Sequence, residues 1–396
     1  MNTLRLVHTA DWHLSEKPKL QKRAIKNLLQ LSDYVKNNNI DGILIAGDIW
    51  DRLQQYGNNS AIKIAYEFLS ELSDNVKFIY IIKGNSSHDA IQSIELLHQY
   101  RPNIYAFEKN VSSGIILEEN VVIDDLLQEQ PNKNYDLIIH GISYPTKAQL
   151  INSNSIDLQN DDFMRCFENL LSYHGTISSS YSSVPKITLF HGNVSGARLS
   201  NGQTLVGQDL IVPSFILEKT LSDYYALGHI HLPQNITSNI RYSGSLYNKD
   251  FGETEEKSFD VLEFQKNELT VSTIKFNGNR PLVVVDAEFA GGEFIYDKNI
   301  PDEAEIKFRY RINESERNLL SQNHIEEIRR TLGPDTVFES IIIPAERNTR
   351  TSKIMHAKTI LEELEEYLLV IGENLSPGII EKVELLEKEI SGGSVE

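Results

Sequence analysis

A chain of 396 residues that is 40% hydrophobic and 24% charged is long enough for two cores and has the balance of a globular protein, which excludes a fibrous or wholly disordered one. No run approaches the roughly 18 consecutive apolar residues of a bilayer span, and a single cysteine, Cys166, cannot close an intramolecular disulfide. The formal net charge of −18 argues against a surface that attracts nucleic acid all over, because phosphate binding rests on Lys and Arg.

Part of that acid is local: residues 359–396 hold ten Glu against Lys382 and Lys388. A nucleic-acid substrate would then need divalent cations or a partner protein to supply positive charge. The opening, Met1 to Val7, runs into an apolar strand without a basic region or cleavage site, and together with the lone cysteine it gives a cytoplasmic expectation.

In chain order, the spacing predicts strands at Leu4 to Thr9, Gly42 to Ala46, Phe78 to Ile82, Leu137 to Ile139 and Ile187 to Phe190. Helical periodicity lies between them at Gln21 to Lys36, Ala61 to Leu72 and Ile91 to Tyr100, an α/β layer pattern. Cys166 falls in a helical pattern as a small buried hydrophobe, and Ser172 to Ser183 reads as a Ser-rich loop. From Tyr224 the pattern turns to strands with tight polar turns: Tyr224 to Leu227, Ile240 to Ser243, Phe259 to Phe264 and Leu269 to Phe276. These predict a second sheet. After Arg280-Pro281 a small α/β block follows, with strands Leu282 to Phe289, Ile306 to Tyr310 and Val337 to Ile343 and a helix around His324 to Leu332. A linker at 347–358 leads to two amphipathic helices, Thr359 to Val370 and Pro377 to Ile390.

Five clusters sit beside predicted strand ends, where α/β sheets gather their ligand sites: Asp11-Trp12-His13, Gly47-Asp48-Ile49-Trp50-Asp51, Gly84-Asn85-Ser86-Ser87-His88-Asp89, His191-Gly192-Asn193 and Gly228-His229-Ile230-His231. One cluster alone is weak, since a lone His is more often structural than a ligand. Together they offer carboxylates, an amide and imidazoles, a donor set that suits Mn, Fe or Zn better than Ca or Mg. Two adjacent ions need a bridging carboxylate to clamp an in-line phosphoryl displacement, and Asp48 is the natural bridge. His8, His98, His174, His324 and His356 read as packing or solvent-facing; His140-Gly141 also ends a strand and competes with His191.

These clusters resemble the calcineurin-like metallophosphoesterases, and within them the SbcD-type nuclease subunits of bacteria and phages. Val7 to Leu14, Gly228 to Gln234, Tyr242-Ser243-Gly244-Ser245 and Asp250-Phe251-Gly252-Glu253 carry the closer likeness. The resemblance implies a four-layer sandwich of two mixed sheets flanked by helices: a nuclease domain over 1–280, a DNA-binding α/β cap over 281–346, the linker 347–358 and a helix pair over 359–396. It implies one metal held by Asp11, His13, Asp48 and His231 and another by Asp48, Asn85, His191 and His229, with two divalent ions, Mn foremost, and His88 as proton donor. It demotes His140, because Gly141 to Pro145 resembles a strand that supplies no ligand. One departure concerns His88: Ser86-Ser87 is inserted before it, lengthening the loop that carries it.

The expectation is a Mn-dependent DNA exonuclease and endonuclease of double-strand-break processing, with DNA and an SbcC-type ATPase as partners. A homodimer is expected through 61–72 and 91–100, motivated by Ile64, Phe68, Leu96 and Leu97. In the tail, Ile360, Leu361, Leu364 and Leu368, and Ile379, Ile380, Val383, Leu386 and Ile390, form apolar faces that dock the ATPase or pack on each other and the body. The alternatives are a scaffold that binds DNA ends with weak catalysis, or a phosphoesterase acting on another phosphodiester.

Overall fold

A computed structural model describes residues 3–52, 59–90, 93–118, 120–128, 133–145, 160–200, 210–266, 268–297, 299–301, 303–344, 359–371 and 375–391. The predicted linker 347–358, with His356, lies outside them. The chain folds as two compact units, Met1–Val283 with Pro301–Glu305, and Val284–Ile300 with Ile306–Glu396. Among the described residues no helix is long and apolar enough to cross a membrane.

The first unit begins with β1 (Leu4–Thr9), α1 (Pro18–Asn37), β2 (Gly42–Ala46), α2 (Ser60–Ser73), β3 (Phe78–Ile82), α3 (Ser93–Tyr100) and β4 (Ile104–Phe107). Pro18 opens α1, where its missing N–H costs no intrahelical bond. The Asn59 side chain caps α2 by accepting from the N–H groups of Ala61 and Ile62, worth ~1 kcal/mol against alanine. The chain continues through β5 (Val111–Leu117), β6 (Val121–Asp125), β7 (Leu137–Ile142), α4 (Asn160–Ser180), β8 (Lys186–His191), β9 (Asn193–Val194), β10 (Ile211–Val212), α5 (Ser214–Leu217), β11 (Tyr224–Gly228), β12 (Gln234–Asn235), β13 (Ile240–Tyr242), β14 (Ser258–Gln265) and β15 (Glu268–Lys275).

Two large sheets result, in strand orders β15-β14-β1-β2-β3-β4 and β12-β13-β11-β8-β7-β5-β6. Both are mixed. The two-residue alternation of strands divides their side chains between layers. Ile43 and Ile45 of β2, with Ile79 and Ile81 of β3, face the core under α1 and α2, while Leu44, Phe78, Tyr80 and Ile82 face the other sheet. In β8, Ile187 and Leu189 join that central core, whereas Phe190 packs outward with Phe167 and Leu171 of α4. The order is helices, sheet, sheet, helices: the four-layer α/β sandwich. Strands covered on both faces need continuous apolar sequence, which is why these segments read as unbroken runs.

The structure corrects three sequence expectations. The strands after Tyr224 form no sheet of their own: β11 lies parallel between β8 and β13, whereas β14 inserts antiparallel beside β1. Ser172 to Ser180 is the end of helix α4, where Ser172, Ser179 and Ser180 turn their hydroxyls onto carbonyls four residues back. Cys166 is half-buried rather than buried. Ile64, Phe68 and Leu97 are spent on the core under α2 and α3, leaving Leu96 and Tyr100 exposed on that surface.

The second unit holds β16 (Leu282–Ala290), β17 (Glu293–Tyr296), β18 (Glu305–Asn313), α6 (Gln322–Leu332), β19 (Val337–Ile343), α7 (Ile360–Ile371) and α8 (Pro377–Ser391), with sheet order β17-β16-β18-β19. Phe289, Phe294, Phe308, Tyr310 and Phe338 interlock edge-on along one side, joined by His324 of α6. Helices α7 and α8 pack on one another and share a bond from Ile360 N–H to Glu387 Oε1 of 2.6 Å, yet Ile360, Ile379, Leu386 and Ile390 stay exposed.

Candidate metal centre

The parallel strands β1, β2 and β3 of one sheet, and β8 and β11 of the other, bring their carboxyl ends to the same edge. Each delivers one of the five clusters there. The first two loops zip together: Asp11 N–H donates to Gly47 O (3.0 Å), His13 N–H to Asp48 O (3.1 Å) and Leu14 N–H to Ile49 O (2.8 Å). His229 N–H, from the second sheet, donates to both Asp11 oxygens at 3.0 and 2.9 Å. Glycine is required where these loops touch: a Cβ on Gly47 (φ +85°) would meet His191 Nδ1 at 2.5 Å and Gly84 Cα at 2.7 Å, and one on Gly84 would collide with the Asp48 side chain. Asp11, His13, Asp48 and His229 all hold positive φ (52°, 44°, 54° and 98°), a strain of about 1–3 kcal/mol each that persists only where surroundings over-determine it.

Three groups of donor atoms converge: Asp11, His13 and His231; His13, Asp48 and His88; and Asp48, His191 and His229, each within 4.8 Å of one another. Asp11, His13, Asp48 and His191 are almost wholly buried. His13 Nε2 lies 2.9 Å from His231 Nε2 and 3.9 Å from oxygens of both Asp11 and Asp48. His191 Nε2 is 3.4 Å from Asp48 Oδ1. Asn85 donates its backbone N–H to Asp48 Oδ1 at 2.7 Å, while its side-chain oxygen accepts from the Ser87 N–H and hydroxyl at 2.9 and 3.0 Å. The inserted serines form a tight turn in which His88 and Asp89 both donate to Asn85 O. That turn absorbs the insertion and returns the His88 ring to the cluster, 4.7 Å from the His13 ring with Nε2 3.9 Å from Asp48 Oδ2. Seven of the eight predicted site residues thus bring side-chain donor atoms together, while Asn85 reaches the cluster through its backbone N–H.

The electrostatics fit a divalent cation. Burial pushes Asp11 up to about 6, helped by the negative Asp48 beside it and opposed by His191. For Asp48 burial acts the same way, but the charge and hydrogen bonding of His191 outweigh it and hold the carboxyl below its ordinary range. His229 falls to about 3 through burial and the neighbouring positive charge of His191. Burial would lower His191, but the Asp48 carboxylate beside it raises it to about 9, so its positive charge offsets the buried carboxylates, a charge that a divalent cation would supply in its place. His13 Nδ1 is among the buried nitrogens with no hydrogen-bond partner, and His191 Nε2 faces Asp48 Oδ1 at 3.4 Å. His191 Nδ1 donates to Ala46 O at 2.6 Å, which leaves the lone pair of a neutral ring on Nε2, as ligation demands. The residues fit metal binding.

His140, the competing histidine, is spoken for. Ser178 Oγ donates to Thr220 O (2.6 Å), so it accepts from His140 Nε2–H (2.8 Å). Burial, then His174, hold His140 well below its ordinary pKa, so the ring is neutral and Nδ1 accepts from Ser112 Oγ (2.6 Å). No lone pair of its ring remains for a metal. In the sheet His140 lies opposite Thr188, three residues short of the edge that His191 reaches.

Two residues belong to this centre that the sequence reading gave no role. Asp89, fully buried, accepts from Asp48 N–H (3.0 Å), Ile49 N–H (3.1 Å) and Gly84 N–H (2.8 Å), tying two ligand loops together. Glu253 accepts from His231 Nδ1 at 2.6 Å. The only signals available were a carboxylate directly after His88 and one in the Asp250 to Glu253 segment. Neither spacing says what it touches.

Residues 4–233 match the calcineurin-like phosphoesterase family. The chain is 29% identical over 301 residues to the SbcD subunit of the SbcCD nuclease of Bacillus subtilis, covering 71% of each chain. It is 26% identical over 294 residues to the protein of that name from Staphylococcus epidermidis, covering 72% of this chain and 73% of that one. With the Rhodobacter capsulatus protein of that name the identity is 24% over 271 residues, covering 61% and 62%. With the family matched over more than half its length and a convergent Asp and His centre at the family's motifs, the chain belongs to the calcineurin-like phosphoesterases and is a metal-dependent phosphodiester hydrolase.

Proposed function

We propose that this chain is a DNA nuclease acting in double-strand-break processing, with two Mn ions as its working metals. The observation that carries the reading is the sharing of Asp48 between ligand groups on either side, the arrangement a two-ion centre needs. One ion is assigned, as the resemblance implies, to Asp11, His13, Asp48 and His231 and the other to Asp48, Asn85, His191 and His229, a division that the groups Asp11, His13, His231 and Asp48, His191, His229 support. When bound, such ions supply Lewis acidity toward phosphate oxygens and acidify water. The chain's own residues do the rest. Asp89 and the zipped backbones hold the donors in place before substrate arrives, so little reorganisation is needed during reaction. His88 donates Nδ1–H to Asp51 O at 2.7 Å, which aims Nε2 into the cluster, and in its protonated form that nitrogen can give a proton to the departing sugar oxygen. A cavity of about 250 Å³ beside His229 and His231, lined also by Leu199, Ser200, Asp250, Gly252 and Glu253, leaves room for substrate. The names of the relatives, subunits of a nuclease, support a nucleic acid over other phosphodiesters. With Mn, the purified chain is expected to degrade linear DNA far faster than a generic aryl phosphodiester. Equal rates on both would move the assignment to a general phosphodiesterase, and binding of DNA ends without cleavage would make the chain a scaffold.

Within this reading, residues 281–346 are a DNA-binding cap, 359–396 dock an SbcC-type ATPase through the exposed residues of α7 and α8, and the setting is cytoplasmic. The exposed Leu96 and Tyr100, with Tyr66 packed edge-on against Tyr100, are the surface on which a homodimer would form. Deleting 359–396 is expected to abolish association with the ATPase while leaving a dimeric mass and basal cleavage intact, read by light scattering and the same DNA assay. A monomeric mass for the intact chain at micromolar concentration refutes the dimer. Loss of soluble protein on truncation would mean instead that the helices stabilise the body.

A further inference from the structure

We infer that Glu253 is a positioning residue that sets the tautomer and direction of the His231 imidazole and so tunes one metal position selectively; this rests on the two-ion reading above. His231 Nδ1 lies 2.6 Å from Glu253 Oε1. A carboxylate can only accept, so Nδ1 carries the proton and Nε2 keeps the lone pair of the neutral ring. That Nε2 is the atom 2.9 Å from His13 Nε2, in the group formed with Asp11.

The carboxylate is itself immobilised. Glu253 Oε2 receives Lys257 Nζ at 2.7 Å and the Lys249 N–H at 3.1 Å. The Lys257 side chain is fully buried and also donates to the main-chain oxygen of His231 at 3.0 Å, so one ammonium grips both the histidine's backbone and the group that orients its ring. Asn248 closes the loop through Nδ2–H bonds to Glu253 O (2.8 Å) and Glu255 O (3.0 Å). A buried ammonium among carboxylates is poor value as a stabiliser, because desolvation offsets most of the attraction and apolar replacements often do as well. Its fit here is to orientation. His191 and His88 have their Nδ1–H groups held by the main-chain oxygens of Ala46 and Asp51. For His231 the same task falls to a charged side chain, which also makes the imidazole a stronger donor.

The test uses the full chain and its Glu253→Gln and Glu253→Ala variants, with Mn²⁺ titrated by calorimetry. Imidazole ¹H–¹⁵N spectra and melting temperatures are recorded on the metal-free proteins. In the parent, two ions bind and His231 shows the Nδ1–H form. In Glu253→Gln, which retains an acceptor and the side chain's volume, one binding step is expected to weaken by about 10–100-fold. The other step stays unchanged, the tautomer becomes mixed and melting remains close to the parent's. Glu253→Ala is expected to weaken the same step further. Two unchanged binding steps in both variants, or equal weakening of both steps with a collapse in melting temperature, overturn the assignment and leave Glu253 without a selective role. Uptake of fewer than two ions by the parent chain overturns the two-ion reading itself, and this inference with it.

Discussion

Replacing Asp48 is expected to remove metal-dependent cleavage by at least about 10³-fold, equivalent to ~4 kcal/mol of transition-state stabilisation, and to lower the bound Mn below two ions per chain. The reason is geometric. Asp48 Oδ1 approaches His191 Nε2 at 3.4 Å and Oδ2 approaches His13 and His88 at 3.9 Å, so among the described residues Asp48 is the carboxylate that two donor groups share. Asp48→Ala confounds this loss with backbone strain, because alanine tolerates the φ of 54° poorly, and it also removes the acceptor for Asn85 N–H. Asp48→Asn is the cleaner variant: it keeps the volume, the acceptor and a residue type that accepts the left-handed region, and lacks only the charge. Mass-spectrometric metal content and DNA cleavage on the same preparation decide the matter. Two bound ions with normal cleavage in Asp48→Asn would show that the carboxylate is not shared.

His88→Ala is expected to keep both ions and DNA affinity while losing about 10² to 10⁴ in the single-turnover cleavage rate, the usual contribution of a positioned general acid. Among the three imidazoles within 4 Å of an Asp48 oxygen, His88 is the most exposed: its side chain is 25% exposed against 0% for His191 and 2% for His13, as suits a group that meets substrate. It also belongs to the His13 and Asp48 group, so a ligand role makes a distinct forecast: metal stoichiometry would fall together with the rate. Unchanged cleavage would mean that the ring, although at the centre, does not reach the leaving oxygen. Single-turnover kinetics beside metal content separates the three outcomes.

The five clusters, their placement after apolar runs, and the α/β class were legible in the sequence because each depends on neighbours in the chain. A strand covered on both faces must be apolar throughout, and the polar residues that follow it must lie at its end. Strand partners are another matter. Nothing in Ser258 to Gln265 says that it pairs with β1 some 250 residues earlier, because period-2 patterning records which faces are buried and not beside what. Between His140 and His191 the residue pattern was neutral, since both end an apolar run before a glycine; the resemblance favoured His191, and the partners Ser112 and Ser178 supply the physical reason by engaging both nitrogens of His140. The inserted Ser86-Ser87 put His88 in doubt because loop length does not give loop path. A local turn closed on Asn85 O sets that path. Asp89 and Glu253 stayed hidden because a supporting residue is defined by what it touches. The backbone N–H groups of Asp48, Ile49 and Gly84, and the imidazole of His231, reach those carboxylates only when separate loops converge at one edge of two packed sheets.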